Sequence, residues 1–313
     1  MAQPVALLFP GQGAQAVGMG LALAEKFAAV AAWYQRADEA AGLPLRKYLR
    51  EGPEDELRRT EILQPALLTV EVGVWLALCE LMEVNACAAA GHSLGEYAAL
   101  VAAGALTPEK AVEIVRRRGR YMQEATPIGV GGMAAVLGLE AEQVEQLCAR
   151  VSDDQGRVWL SNDNCPGQLV ISGHLAALER VGPILKAAGA KRIIPLKVSA
   201  PFHCPLMQPA ADSLRQDLAR IEFREPAFPV IANFSGQPYS GAETLMDGLA
   251  QQVVQPVKFR TSLLTMTRFQ PHDLLELGPG NVLAGLARRT VPEIPVHGAG
   301  SPEELEMLVK DLA

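Results

Sequence analysis

Cysteine and histidine are scarce in this 313-residue chain, five of each, and what they fail to form is informative. Cys79, Cys87, Cys148, Cys165 and Cys204 are scattered with no Cys-x-x-Cys pair, and their odd number fits neither a disulfide framework nor a zinc knuckle, so reduced thiols are expected. Excess positive charge is also lacking. With 28 Lys and Arg against 35 Asp and Glu, the formal net charge of −7 removes the electrostatic footprint of a nucleic-acid binder. No targeting segment is visible: the first apolar stretch, Val5-Ala6-Leu7-Leu8-Phe9, is too short for a membrane span and lacks a signal peptide's basic flank. A cytoplasmic protein that binds neither nucleic acid nor membrane is expected. What is there, 49% hydrophobic and 20% charged residues, is the composition of an ordinary enzyme long enough for one large domain or two units. No internal repeat or low-complexity tract interrupts it.

The rhythm of the chain is that of an α/β fold with a mostly parallel sheet. Residues 5–9 read as a buried strand stopped by Pro10, residues 21–38 as a helix, and residues 66–82 as an apolar helix after Gln64-Pro65 that feeds a second strand. After Gly129-Val130-Gly131-Gly132 the order becomes strand, helix, strand, strand, helix, strand, with strands at 133–137, 158–162, 168–172 and 192–197 and helices at 141–151 and 175–188. A ferredoxin-like inserted subdomain is therefore expected at 130–197, with 1–129 and 198–313 forming the larger catalytic domain.

The small apolar run Ala86-Cys87-Ala88-Ala89-Ala90 leads into Gly91-His92-Ser93-Leu94-Gly95, a Gly-x-Ser-x-Gly at a strand-to-helix turn, so Ser93 reads as a nucleophile on an elbow. A general base must come from five histidines. His92 points away from its neighbour at such a turn, His174 lies in a turn of the insert, His272 precedes the strand read at 273–277, and His297 falls near the C-terminus. His203, bracketed by Pro201 and Pro205, is the best candidate. A carboxylate to orient it would have to be Asp163 or Asp153, both in the insert, so a Ser-His dyad oriented by a carbonyl or amide is the more economical arrangement. Cys204 beside the base has no elbow of its own.

Helix 108–125 carries Arg116, Arg117, Arg118 and Arg120. At about 100° per residue Arg118 falls on the apolar face with Ile114, Val115, Tyr121 and Met122, while Arg116 and Arg120 face solvent. A guanidinium on a core-facing stripe calls for an anion, either a substrate carboxylate or an internal Glu or Asp. Arg116, Arg117, Arg118, Arg120, Lys191 and Arg192 are also the candidates for a local basic patch toward an anionic partner. Gly11-Gln12-Gly13-Ala14-Gln15-Ala16 matches a dinucleotide fingerprint but lacks a second strand ending in an acid, since Asp38 and Glu39 sit in a helical stretch. The loop's other use is to aim the Gln12 N–H at an oxyanion, together with that of Leu94.

Five motifs occur in order: Phe9-Pro10-Gly11-Gln12-Gly13-Ala14-Gln15, Gln64-Pro65-Ala66-Leu67, Gly91-His92-Ser93-Leu94-Gly95-Glu96, Arg118-Gly119-Arg120-Tyr121-Met122-Gln123 and Glu276-Leu277-Gly278-Pro279-Gly280. With Asn164-Cys165-Pro166-Gly167-Gln168 and Pro201-Phe202-His203 they cover nearly the whole chain, which resembles the malonyl-CoA:acyl carrier protein transacylases and the acyltransferases of polyketide synthesis. The resemblance implies an α/β-hydrolase-like large domain with a ferredoxin-like insert, and a ping-pong transfer. Ser93 would take the malonyl group from malonyl-CoA with His203 as base, and the phosphopantetheine thiol of an acyl carrier protein would remove it. It further implies Arg118 on the malonyl carboxylate, Gln12 and Leu94 at the oxyanion, Asn164 and Phe202 at the substrate, and the backbone of Gln252, with Gln251 and Gln255 as like neighbours, orienting the base. No bound cofactor and no metal are expected, and a monomer is. Phe202 suits malonyl over a 2-methyl branch, a discrimination of about 1 to 3 kcal/mol. Two competing readings are an acyl-hydrolase of the same fold, which has no need of Arg118, and a docking module without chemistry, which needs none of Ser93, His203, Arg118 or Gln12.

Overall fold

In the computed structural model, which describes residues 3–127 and 129–312, the first strand, β1 (Val5–Phe9), forms the middle of a five-stranded sheet. Met1, Ala2, Ile128 and Ala313, which fall inside the expected domain ranges, lie outside the described residues. β1 is buried along its whole length and alternates between two cores: Val5, Leu7 and Phe9 join one hydrophobic cluster, Ala6 and Leu8 the other. This is the pattern of a parallel strand covered on both faces. The other strands are β2 (Ala86–Gly91), β3 (Gly131–Leu137), β4 (Val158–Cys165), β5 (Gln168–His174), β6 (Arg192–Pro195), β7 (Val230–Ile231), β8 (Asp273–Leu277) and β9 (Val296–Ala299). The large sheet runs β7-β2-β1-β8-β9 and every pairing in it is parallel.

The second sheet, β4-β5-β3-β6, is antiparallel throughout and carries helices Ala141–Val151 and Leu175–Ala187 over its own core of Val136, Val144, Leu160, Ile171 and Val181. Its strand and helix order follows the sequence reading, with shifted ends. β4 runs on to Cys165, where Asn162 also bridges to Val257 of the large unit, with Asp163 N donating to Val257 O (2.9 Å) and Val257 N to Ser161 O (2.9 Å); β5 runs on to His174 because Gly173 and His174 pair with Gly132 and Gly131 of β3. Extra pairing across the seam keeps β4 extended. β6 ends early, at Pro195, with one further bond to β3 from Leu196 N to Met133 O (2.9 Å).

Two helices differ from the periodicity. The stretch 21–38 is two helices, Leu21–Lys26 and Ala28–Ala41, separated by extended Phe27 (φ −110°, ψ 115°), whose buried ring outweighs continuation of the helix. The helix expected from residue 66 begins at Thr60 and includes Pro65. A turn ahead of the proline already forms on Arg59 O, which accepts from Ile62 N (2.9 Å) and Leu63 N (2.8 Å), so the missing donor removes one rung without stopping the helix. This helix, Thr60–Leu81, is long and apolar enough to cross a membrane, but 83% of its most apolar window is buried inside the protein, where it packs the core beneath β1.

The alanines of β2 allow the next helix, Gly95–Ala102, to come close to the sheet. A Cβ on Gly95 would stand 2.1 Å from Phe9 O and 2.6 Å from Pro10 O, and one on Gly91 would stand 1.8 Å from Gly95 C. All these neighbours are backbone and cannot move independently. Gly95→Ala is expected to cost about 3 kcal/mol or more and to lower the denaturant midpoint accordingly; a variant that unfolds at the wild-type denaturant concentration would refute the close approach.

Candidate active site

Ser93 sits between β2 and helix Gly95–Ala102 with φ 53°, a left-handed conformation costly for a side-chain-bearing residue and held by its surroundings. Asn233, just after β7, supplies much of that hold. Its Oδ1 accepts from Ser93 N (2.6 Å) and its Nδ2 donates to Gly91 O (2.6 Å), clamping both sides of the turn. The strained turn lifts the serine hydroxyl toward His203. Ser93 Oγ lies 2.8 Å from His203 Nε2, and His203 Nδ1 lies 2.8 Å from the backbone oxygen of Gln252. A carbonyl only accepts, so the proton belongs on Nδ1, which leaves the Nε2 lone pair facing the serine hydroxyl.

The structure thus brings together a dyad with a carbonyl behind it. Neither expected carboxylate reaches the imidazole: Asp153 pairs with Arg180 (2.9 Å), and Asp163 is taken into the seam with Val257. The remaining histidines are occupied elsewhere. His92 Nε2 bonds Asn164 Oδ1 (2.9 Å), His174 Nδ1 accepts from Arg157 N (3.0 Å), and His272 and His297 both face Asp273 (2.6 and 3.0 Å). His203 is 5% exposed, and burial together with the nearby Arg118 charge lowers its pKa to about 3. It is a neutral imidazole at neutral pH.

Arg118 is 1% exposed and donates from Nη1 to Gln64 Oε1 (2.8 Å) and from Nη2 to Ser93 Oγ (2.9 Å) and Gln252 Oε1 (2.8 Å). Its guanidinium carbon stands 5.6 Å from the centre of the Tyr97 ring, and its Nε has no acceptor. Burial pulls the guanidinium pKa down, since a charge there has lost its water. Of the two arrangements the sequence left open, the internal ion pair is absent: among the described residues no Glu or Asp is hydrogen-bonded to Arg118, and Gln64, Ser93 and Gln252, which accept from it, are all neutral.

Gln252 joins these parts. It is fully buried, its backbone O accepts from His203, its Oε1 accepts from Arg118, and its Nε2 donates to Ser93 O (2.8 Å) and to Glu96 Oε2 (2.8 Å). Glu96 in turn accepts from Asn233 N (3.0 Å) and from the Tyr239 hydroxyl. Sequence reasoning missed Asn233, Tyr239, Tyr97 and the part played by Glu96. Glu96 alone had a signal, an acid inside an apolar helix start.

A cavity of about 200 Å³ opens on Ser93 and His203, and Gln12, Leu94, Asn164 and Phe202 all line it. Asn162, brought in by the irregular register of β4, lines it as well. Asn164 also steadies His92, whose ring packs against Phe259 at 5.4 Å. The Gly11 backbone lies against the elbow, where a Cβ would come 2.5 Å from His92 O, and among the described residues neither Gln12 N–H nor Leu94 N–H has an acceptor in the protein. No helix starts directly after this loop; the next begins at Leu21, which removes the dinucleotide reading. The six basic residues grouped from the sequence do not form one patch. Arg118 is buried, Arg117 is tied to Asp217 (3.0 Å) and Glu113 (2.7 Å), Arg116 reaches Ala41 O, and Lys191 and Arg192 are exposed at β6.

A histidine lowered from 6.5 to about 3 keeps its free base across the ordinary assay range. The rate of acylation is expected to hold as the pH falls through 6.5 and to lose its base only toward about 3; an acid limb centred between about 6 and 7 in single-turnover acylation would contradict a buried neutral His203. Stability follows the same sign. Because the folded pKa is depressed, this group's contribution is complete above 6.5 and is lost as the pH falls toward about 3.

The acyl transferase domain family matches residues 6–308. The malonyl CoA-acyl carrier protein transacylase of Bacillus subtilis (strain 168) is 40% identical over 308 residues, covering 98% of this chain and 97% of the relative, and that of Escherichia coli (strain K12) is 41% identical over 300 residues, covering 96% and 97%. Among solved structures, the malonyl CoA-acyl carrier protein transacylase of Coxiella burnetii superposes with a TM-score of 0.96 at 39% identity, covering 100% of this chain and 98% of that one. A malonyl-transacylase solved in complex with a type II polyketide synthase acyl-carrier protein superposes at 0.94 with 40% identity, covering 98% and 99%. With a serine and a neutral imidazole facing one cavity, a buried guanidinium bonded to that serine, and about 40% identity to these relatives over nearly the full length, the chain belongs to the malonyl CoA-acyl carrier protein transacylase family.

Proposed function

We propose that the chain transfers the malonyl group of malonyl-CoA to the phosphopantetheine thiol of an acyl carrier protein through an ester on Ser93, in fatty-acid or polyketide assembly. The relatives' names supply donor and acceptor, and the relative solved with its carrier bound supports that partner. One observation carries the serine chemistry: Ser93 Oγ is at once 2.8 Å from the base His203 and 2.9 Å from Arg118, a cation with no carboxylate bonded directly to it among the described residues.

In the first half-reaction, Ser93 Oγ gives its proton to His203 Nε2 and bonds to the thioester carbonyl carbon. The N–H groups of Gln12 and Leu94 receive the oxyanion. The carbon–sulfur bond then breaks, and CoA leaves with the proton from His203. In the second, the phosphopantetheine thiol loses its proton to His203 and attacks the ester carbonyl, and Ser93 departs with that proton. Arg118 exchanges its contact with Ser93 Oγ for the malonyl carboxylate, which its fork can take through two donors. Phe202 narrows the cavity around the acyl group, and Asn164 shapes it by fixing His92.

We read the parallel-sheet unit, 1–129 and 198–313, as α/β-hydrolase-like and the antiparallel unit, 130–197, as ferredoxin-like. The side chains supply all the chemistry, so no cofactor is required beyond the CoA thioester and the carrier's phosphopantetheine. A monomer working in the cytoplasm beside its carrier fits this reading.

Intact-protein mass after brief exposure to malonyl-CoA and acetyl-CoA in competition tests it. The wild-type chain is expected to gain one malonyl adduct that moves to added carrier, and Ser93→Ala none. Arg118→Ala is expected to lose about 100-fold in malonyl preference, the scale of a charge-assisted contact worth about 3 kcal/mol. Release of free malonate without an adduct would instead mark a hydrolase.

A further inference from the structure

The transfer steps leave a buried carboxyl group beside the site without a task. Glu96 lies in the first turn of the helix after the elbow and is fully buried. Its Oε2 accepts from Asn233 N (3.0 Å) and Gln252 Nε2 (2.8 Å), and its Oε1 accepts from the Tyr239 hydroxyl. The opposite atom of the same amide, Gln252 Oε1, accepts from Arg118 Nη2 (2.8 Å). A neutral amide therefore stands between a buried cation and a buried carboxyl, bonded to both. We infer that Glu96 is the resident counter-charge of Arg118, relayed through the side chain of Gln252, and that it sets how tightly the guanidinium holds a substrate carboxylate. This rests on the reading of Arg118 as the malonyl contact.

The physical case is one of distance. A carboxylate bonded directly to Arg118 would offset its burial but would occupy the donors the substrate needs. A carboxylate one amide away still lowers the energy of the buried cation, because Coulomb attraction falls only as the inverse of distance, and it leaves the terminal nitrogens on neutral acceptors that a substrate carboxylate can displace. The orientation of the amide is fixed from both ends, with its oxygen toward the positive group and its N–H toward the negative one. Substrate and Glu96 then share one cation, so withdrawing the Glu96 charge strengthens the hold on the substrate.

The ionisable groups facing Glu96 are Arg118 from helix Pro108–Glu124, Tyr239 from the segment after β7 and Tyr97 on its own helix; both tyrosines are pushed up by burial and stay neutral. Burial raises Glu96 to about 7, opposed by its three hydrogen bonds and by Arg118. Above that pH it is charged and weakens malonyl binding; below it is neutral and does not.

The test compares KM and kcat for malonyl-CoA and acetyl-CoA between about pH 6 and 9. Acetyl-CoA carries the same CoA without the carboxylate and serves as the internal control. Glu96→Gln removes the charge and keeps an acceptor for Asn233 and Gln252, while its amide NH2 takes the place of Oε1 opposite Tyr239, whose hydroxyl can turn to accept. In the wild type, the malonyl-CoA KM is expected to rise as the pH passes up through 7, by roughly three- to ten-fold, the size of one charge removed at such range. Glu96→Gln should hold the low KM across the range, with kcat and acetyl-CoA little changed. Tyr239→Phe, which deprives the carboxylate of a donor, should move the rise to higher pH and keeps the test open should Glu96→Gln fold poorly. A Glu96→Gln protein that retains the wild-type pH profile, or whose KM is raised at every pH as for a merely structural residue, overturns the proposal. If Arg118→Ala keeps full malonyl preference, the Arg118 reading fails and this one with it. If that preference is lost while Glu96→Gln matches the wild type, only the role of Glu96 fails.

Discussion

Everything at this site hangs on the amide of Gln252. Its backbone oxygen fixes the tautomer of His203, its side-chain oxygen steadies Arg118, and its side-chain N–H groups hold the carbonyl of Ser93 and the carboxyl of Glu96. One residue on helix Leu245–Val254 thereby sets the register of base, nucleophile and cation, which come from three other parts of the chain. Such a network is demanding. In a low dielectric each satisfied bond strengthens its neighbours, and each lost partner leaves a desolvated polar atom behind. The neutrality of Gln252 matters as well: an aspartate or glutamate in its place would pair with Arg118 and remove the donors from use.

The left-handed backbones at Ser93 (φ 53°) and His203 (φ 59°) belong to the same economy. Each carries a conformational cost of order 1–3 kcal/mol, and each is over-determined by its setting. Ser93 is clamped by Asn233 and by the close approach of Gly91 and Gly95 to neighbouring backbone, and His203 lies between two prolines. The parallel sheet gives these devices a rigid base, since β1 and β2 are packed on both faces and end where the site begins.

Much of this was legible in the sequence because it is local. The elbow needs two glycines at fixed spacing, the parallel strands are continuous apolar runs, and Arg118 announces itself as a charge on an apolar stripe. The insert was legible from the order of its elements, although β4 runs further than its own residues require, owing to a seam with Val257 that only tertiary structure supplies. Phe27 broke a helix for a similar reason, as burial of one ring outweighed local periodicity. Asn233 and Tyr239 were not legible at all. Their partners lie more than a hundred positions away, and nothing nearby marks an asparagine after a two-residue strand as a clamp. The six basic residues read as one patch are divided: Arg116, Arg117 and Arg120 line one surface pocket together with Glu39 and Glu113, Arg118 turns into the core, and Lys191 and Arg192 stand at β6 in the other unit.

The carbonyl behind His203 has a consequence for the nucleophiles that the proposed transfer would favour. A carboxylate in that place would stabilise the imidazolium strongly and make the histidine a stronger base; a neutral carbonyl, in a buried site beside Arg118, does so weakly. A weak base favours the more acidic of two incoming nucleophiles, and a thiol, with a pKa near 8.5, gives up its proton more readily than water, near 15.7. Ser93 is an alcohol of acidity close to water's, and what sets it apart from solvent is position: its hydroxyl is already held 2.8 Å from Nε2. On the proposed transfer, a nucleophile that arrives from outside without such a berth would have to bring acidity instead, which sulfur does and solvent does not.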